Sequence, residues 1–128
     1  MEQGRSIEEP LYTAGDIARM AGVSLRTIRF YDEKGLLKPV RYSEAGYRCY
    51  NQASMEILQR ILMLKYLGFS LQKIEQVLHT QNMDLELSEQ KELLLQKKKK
   101  LEELISAIGR MEKSGEEDKW NFLIHLLN

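Results

Sequence analysis

Between positions 26 and 48 the chain carries side chains suited to gripping a polyanion and reading what lies between its charges. Arg26, Thr27 and Arg29 fall within four residues, followed directly by the aromatics Phe30 and Tyr31. Arg41, Tyr47 and Arg48 come shortly after. A guanidinium offers a fork of N–H donors that matches phosphate oxygens and guanine edges, and a threonine hydroxyl bonds to either kind of partner. On a helix, Arg26, Thr27 and Arg29 would face base edges and nearby phosphates of double-stranded DNA. Arg41, Tyr47 and Arg48 would hold the flanking backbone, and so set affinity and salt dependence more than sequence choice. Tyr31 can divide its role, ring inward and hydroxyl toward a phosphate. Phe30 has no hydrogen-bonding atom in its side chain, so it can supply only packing and van der Waals contact.

These residues need a helix to present them, and the flanking sequence describes one. Ile17, Ala18 and Ala21 share one side of a first helix that Thr13 and Asp16 would cap in a capping box. Ala18 is small where a second helix must come close. Gly22 suits the left-handed backbone at a helix C-terminus, and Ser24 is an N-cap for the next helix. In that helix Leu25, Ile28 and Tyr31 are spaced as an inward stripe, leaving Arg26, Thr27, Arg29 and Phe30 outward. Any helical hairpin with a solvated basic face would read the same way up to this point. The continuation narrows it. Leu36-Leu37-Lys38-Pro39-Val40-Arg41 and Tyr47-Arg48-Cys49-Tyr50 read as two short strands about the turn-forming Ser43-Glu44-Ala45-Gly46. A helix-turn-helix followed at once by a hairpin is a winged helix.

Two further helices follow. Asn51 caps the first, with Met55, Leu58, Ile61, Leu62 and Leu67 inward and Gly68 at its end; Ser70 caps the second, with Leu71, Ile74, Val77 and Leu78. Both stripes read as core packing on the helix-turn-helix. From 87 to 111 runs one long helix with a seam at Leu87, Gln90, Leu94, Lys97, Leu101, Leu104, Ile108 and Met111, widened by Ile105. Steps alternating three and four are the coiled-coil pattern, and a lone helix of this kind needs a partner for its seam. Self-pairing makes a two-fold homodimer the simplest closed assembly. Periodicity does not give the direction of the pair. Lys97, Lys98, Lys99 and Lys100 spread round one helical turn and, with Glu92, Glu102 and Glu103 nearby, read as a solvated surface. After the linker-like Ser114-Gly115-Glu116-Glu117-Asp118 comes an apolar tail containing Trp120, Phe122, Leu123, Ile124, Leu126 and Leu127. Left free it would be an exposed patch, so it is expected to fold back on the partner chain or the DNA-binding unit.

The expected class is therefore mainly α: a winged helix-turn-helix with a small β-hairpin wing, then a long coiled-coil dimerisation helix. The expected organisation is a flexible N-terminus over 1–11, the DNA-binding domain over 12–80, the dimerisation helix over 81–114 and the short apolar tail over 115–128. The chain of 128 residues has 19 basic and 19 acidic side chains, a net charge of zero. From position 19 to 48, however, seven basic residues face three acidic ones, a local +4. A neutral total is compatible with DNA when the positive charge is concentrated. The single cysteine, Cys49, excludes an intrachain disulfide and a thiolate metal cluster within one chain. No apolar run of membrane length and no signal peptide is present, so no membrane association is expected and the cytoplasm is the default location.

The pattern Val23-Ser24-x-Arg26-Thr27-Ile28-Arg29-Phe30-Tyr31-Asp32-x-x-Gly35-Leu36-Leu37-x-Pro39, then Gly46-Tyr47-Arg48-x-Tyr50, resembles the MerR family of bacterial transcription regulators. The resemblance covers about Tyr12 to Met111 and lies nearest the multidrug-type activators. It implies a phosphate contact for Lys65, which as a bare sequence feature reads equally as a surface lysine. It implies that the long helices pair antiparallel through Leu87, Leu94, Leu101, Leu104, Ile105, Ile108 and Met111, holding two recognition helices at a fixed span. It further implies binding to a pseudo-palindromic promoter and distortion of an over-long spacer, with RNA polymerase as a partner. Many relatives have a polar-tipped aromatic where Phe30 stands, so only a packing role carries over there. Multidrug-type relatives carry a ligand-binding domain after the coiled coil, whereas only the short tail follows here; the identity of any small-molecule effector, and whether a further domain belongs to the chain, stay open.

No nucleophile–base pair, carboxylate pair or phosphate-cradling glycine loop is legible, His79 and His125 are far apart in sequence, and no enzyme activity or cofactor is expected. Metal sensors of the family place cysteines near the coiled coil and the following loop; from Leu78 to Asn128 this chain has none, so no metal is expected either. Two rivals to a promoter regulator stand. One is an architectural DNA binder resembling a recombination directionality factor, against which the long dimerisation helix argues. The other is a protein-interaction coiled coil with a vestigial DNA domain.

Overall fold

The computed structural model describes residues 10–127. The expected flexible N-terminus thus lies, for positions 1–9, outside the described residues. The chain divides into two compact units, one ending at Gln81 and the other beginning at Asn82.

The first unit grows from its caps. Strand β1 (Tyr12–Thr13) runs directly into helix α1 (Ala14–Ala21). The capping box closes as the sequence predicts: Thr13 Oγ1 accepts from the Asp16 N–H, and Asp16 Oδ2 accepts from the Thr13 N–H, both at 2.9 Å. Gly22 ends α1 with φ at 72°, a left-handed backbone that glycine adopts without steric cost. Ser24 then caps helix α2 (Leu25–Glu33). Strands β2 (Arg41–Tyr42) and β3 (Arg48–Tyr50) form the hairpin wing, followed by α3 (Gln52–Tyr66) and α4 (Leu71–Leu78), capped by Asn51 and Ser70.

The sheet has a third strand that the sequence reading missed. β1 pairs antiparallel with β3, giving the order β1-β3-β2, with Tyr12 opposite Tyr50, Thr13 opposite Cys49 and Arg41 opposite Cys49 on the other side. Two residues of β1 carry no period that could announce a strand; pairing with β3 makes it one. Leu36 and Leu37, expected in the first wing strand, instead lie buried in the core, because their backbone N–H groups both bond to the Tyr31 carbonyl and turn the chain inward after α2.

The core gathers Ile17 and Ala18 of α1, Ile28 and Tyr31 of α2, Tyr50 of β3, Met55, Leu58, Ile61 and Leu64 of α3, and Ile74 and Val77 of α4, with Phe69 between the last two helices. Two expected core positions differ. Leu25, in the first turn of α2, is exposed, since the stripe through Ile28 and Tyr31 has not yet turned inward there. Leu67, which caps the end of α3, is likewise at the surface, and Leu64 and Phe69 fill the space assigned to it.

In the second unit, α5 (Met83–Glu112) is longer than expected, starting one turn earlier from an Asn82 cap. Helix α6 (Glu116–Leu127) replaces the expected linker and tail. Acidic Glu116, Glu117 and Asp118 occupy its first turn, where the positive end of the helix dipole favours them. α6 returns antiparallel along α5: the Arg110 guanidinium stands 5.0 Å from the Phe122 ring centroid, and Leu126 lies with Lys99, Glu102 and Ser106 along one groove. The tail thus packs along its own long helix, a contact the sequence reading did not anticipate; Lys119, Phe122 and Leu123 are half-buried in α6, while Trp120, Ile124, Leu126 and Leu127 stay exposed.

Candidate nucleic-acid interface

The candidate reading face is the outer side of α2. Its start is held by Ser24, whose Oγ accepts from the Thr27 backbone N–H at 3.1 Å. Ile28 and Tyr31 anchor the helix to the core, which leaves Arg26, Arg29 and Phe30 exposed and Thr27 half-buried at the first turn. Neither arginine has an acidic partner on its own helix near enough for an ion pair, so both guanidiniums face solvent. Phe30 packs its ring 6.0 Å from that of Tyr31, tilted by 48°, and Lys34 Nζ sits 5.5 Å from its centroid. A cation over the ring face is a favourable arrangement, and it places one more positive charge on this surface. Tyr31 is buried, and loss of solvent pushes its phenol above the ordinary tyrosine range. Its ring belongs to the core.

The wing projects Arg41 and Tyr47. Its turn is closed by the Ser43 N–H donating to the Tyr47 carbonyl at 2.8 Å and the Tyr47 N–H donating to Ser43 Oγ at 3.0 Å, with Gly46 at φ 87°. Such a φ favours glycine and lets the hairpin reverse tightly. Tyr47 is 71% exposed and so available to a partner. Arg48 behaves differently. Its Nε donates to Asp32 Oδ2 at 2.5 Å, and both groups are largely withdrawn from solvent. Asp32 holds the Arg48 guanidinium even further above the ordinary range for arginine. The first residue of β3 is thereby tied to the C-terminal end of α2. The sequence marked Asp32 only as a position of the family motif and gave it no partner; sixteen positions separate it from Arg48, and only the fold brings them together.

Lys65 stands exposed in the last turn of α3. Along α5 the apolar positions of the expected seam lie open: Leu87, Leu94, Leu101, Leu104, Ile105 and Ile108 are all exposed and Met111 is half-buried, whereas Gln90, which the seam also included, is buried. A stripe of this kind, left to water along one helix, is the mark of a surface that pairs with another. Cys49 is a free thiol in β3, with Sγ 3.7 Å from the Tyr47 carbonyl oxygen. Among the described residues no group of three or more histidine, cysteine, aspartate or glutamate side chains is placed to hold a metal ion, and no helix is long and apolar enough to cross a membrane.

A capped helix-turn-helix with an adjoining wing defines a winged-helix DNA-binding fold. Residues 12–81 match the family model described as MerR HTH family regulatory protein, and residues 55–114 the one described as MerR, DNA binding. The chain belongs to the MerR HTH family. It is 42% identical over 101 residues to the HTH-type transcriptional activator mta of Bacillus subtilis, covering 77% of this chain and 39% of that protein. The chain thus spans about two-fifths of the length of the curated activators it resembles. Among solved structures, MtaN, the N-terminus of the Bacillus subtilis multidrug transporter activator, superposes with a TM-score of 0.75 at 40% identity, covering 80% of this chain and 99% of that one. HiNmlR, a MerR family regulator lacking the sensor domain and bound to promoter DNA, does so with a TM-score of 0.53 at 28% identity, covering 79% and 77%.

Proposed function

We propose that this chain regulates transcription by binding a pseudo-palindromic promoter as a homodimer. The observation that carries the reading is the exposed Arg26 and Arg29 on α2 beside a wing that projects Arg41 and Tyr47, together with an open apolar stripe along α5. In this reading α2 enters the major groove, where Arg26, Thr27 and Arg29 meet base edges and phosphates. Arg41, Tyr47, Arg48 and Lys65 hold the flanking backbone. The α5 helices of two chains pair antiparallel through Leu87, Leu94, Leu101, Leu104, Ile105, Ile108 and Met111, fixing the span between half-sites. Bending and untwisting of the spacer between the two half-sites then realigns the promoter for RNA polymerase, and the ease of deforming that spacer adds to specificity. The work is done in the cytoplasm, where the DNA is. HiNmlR, a relative without a sensor domain on promoter DNA, supports promoter binding by a chain of this architecture.

Selection of bound fragments from genomic promoter DNA would yield operator symmetry and spacer length together. Transcription from the recovered promoter, measured with spacers lengthened or shortened by single base pairs, should respond sharply to length. Equal response at every length would sink the distortion mechanism and leave an architectural binder.

A further inference from the structure

The helix that would read DNA and the wing that would hold its backbone are separate elements, joined by a loop and a turn. One side-chain pair spans them. Asp32 lies near the end of α2, nine-tenths withdrawn from solvent, and Arg48 opens β3 with a third of its side chain exposed. The contact is made by Nε, so the two Nη groups at the outer end of the guanidinium are the ones left to meet an incoming phosphate. Arg48 is fixed from behind as well: Tyr50, two residues on, is fully buried, and β3 is paired on both sides by β1 and β2. The carboxylate is thus a fixed acceptor in a fixed frame, and it determines where the fork of Arg48 points.

We propose that Asp32 is a positioning residue for DNA binding: it orients Arg48 so that its Nη donors face the phosphate backbone, and it locks the wing to the recognition helix. This rests on the DNA-binding reading above. The proposal runs against simple electrostatics. Asp32 is an acid on a positive surface, and charge counting alone says that its removal should tighten binding to a polyanion. As a positioning residue it should do the opposite, because a guanidinium freed from its acceptor loses its aim and its order.

The test uses the full chain and a fluorescein-labelled 30-base-pair duplex of mixed sequence, titrated by anisotropy between 50 and 250 mM salt. Asp32→Asn should weaken binding by about tenfold at the lower end and lower the slope of log affinity against log salt by roughly 0.9 per protomer, the loss of one phosphate contact. Arg48→Ala should do the same, and the double variant should be no worse than either single one, since both remove one unit of interaction. A folded Asp32→Asn that binds as tightly as the parent, or more tightly, with an unchanged slope overturns the proposal. A parent chain that does not bind the duplex even at 50 mM salt overturns the DNA-binding reading itself, a different result from the first. Should Asp32→Asn fail to fold, the Arg48 Nε–H proton decides in the unaltered protein. By nuclear magnetic resonance it should be protected from exchange both free and with duplex. Loss of that protection on adding DNA would show that the pair breaks in order to bind, and would overturn the positioning role.

Discussion

Ser24 and Thr27 meet at the first turn of α2 through a shared hydroxyl junction: Ser24 Oγ accepts from the Thr27 N–H at 3.1 Å and lies 2.9 Å from Thr27 Oγ1. The residue that starts α2 and the residue proposed to read a base are therefore one hydrogen-bonded unit. A threonine side chain has two χ1 choices in a helix, and this bond selects one. In the proposed complex the hydroxyl would be held in place before DNA arrives.

The two residues should separate under mutation. Ser24→Ala removes the cap and should cost about 1 kcal/mol of stability. Thr27→Val keeps the backbone N–H that the cap uses and loses only the hydroxyl, so its melting temperature should stay close to that of the parent. Its preference for a selected site over mixed-sequence DNA should fall by about tenfold, the scale of one lost base contact. Thermal melts followed by circular dichroism and paired binding titrations check both. Unchanged discrimination in Thr27→Val would remove Thr27 from the reading face.

Ala18 sets how closely α1 and α2 approach. It is buried, and its carbonyl accepts from the Val23 N–H at 2.9 Å, so backbone and side chain are both enclosed at the turn. Ala18→Leu should destabilise the chain by about 1–3 kcal/mol, the usual cost of overpacking a tight interior. Denaturant titration measures it. A loss below about 0.5 kcal/mol would mean the crossing has room that the burial of Ala18 does not suggest.

Much of this fold was legible because its instructions are local. Thr13 with Asp16, Gly22, Ser24, Asn51 and Ser70 each act on residues within about one turn, and all five occupy the caps that their types predict. What escaped is non-local. β1 exists only through its pairing with β3, and the turn at Leu36 and Leu37 only through the Tyr31 carbonyl. α6 was hidden by its own start, where Gly115 and three acidic residues look like a linker while the acidic ones form the helix's first turn. At the candidate site, the exposed face of α2 followed from helical period alone. The bond between Asp32 and Arg48 did not, because neither residue signals a partner sixteen positions away.

Tyr50 carries a penalty that mutation can expose. It is fully buried, and among the described residues its hydroxyl has no hydrogen-bond partner. Burial, with the nearby charge of Asp32, pushes its phenol up to about 12 against an ordinary value of 10.0. A raised phenol favours the neutral form in the folded chain, so its contribution to stability is intact below pH 10 and is lost as pH rises through 12. Tyr31, raised by burial too, acts in the same direction. Tyr50→Phe should leave stability at pH 7 unchanged or raise it by about 1 kcal/mol, since an unpaired buried hydroxyl is removed. It should also flatten the fall in stability between pH 10 and 12. Urea titrations at pH 7, 10 and 11.5 decide. A loss above about 1 kcal/mol at pH 7 would mean the hydroxyl is bonded in solution.

The seam of α5 gives the test on which the assembly rests. Leu101 and Ile108 are seven residues apart, two turns along one face, and both are more than half exposed, at 59% and 58%. Both belong to the second compact unit, so charging them should leave the helix-turn-helix folded. In the proposed dimer each would be buried against the partner helix, where an unpaired carboxylate costs several kcal/mol. Leu101→Asp with Ile108→Asp should therefore convert the chain to a monomer in sedimentation velocity at micromolar concentration. Affinity for a two-half-site operator should fall by about a hundredfold or more, because the second half-site is then no longer bound intramolecularly. Binding to a single half-site should be nearly unchanged. A double variant that sediments as the parent does would place the pairing surface elsewhere than on this stripe.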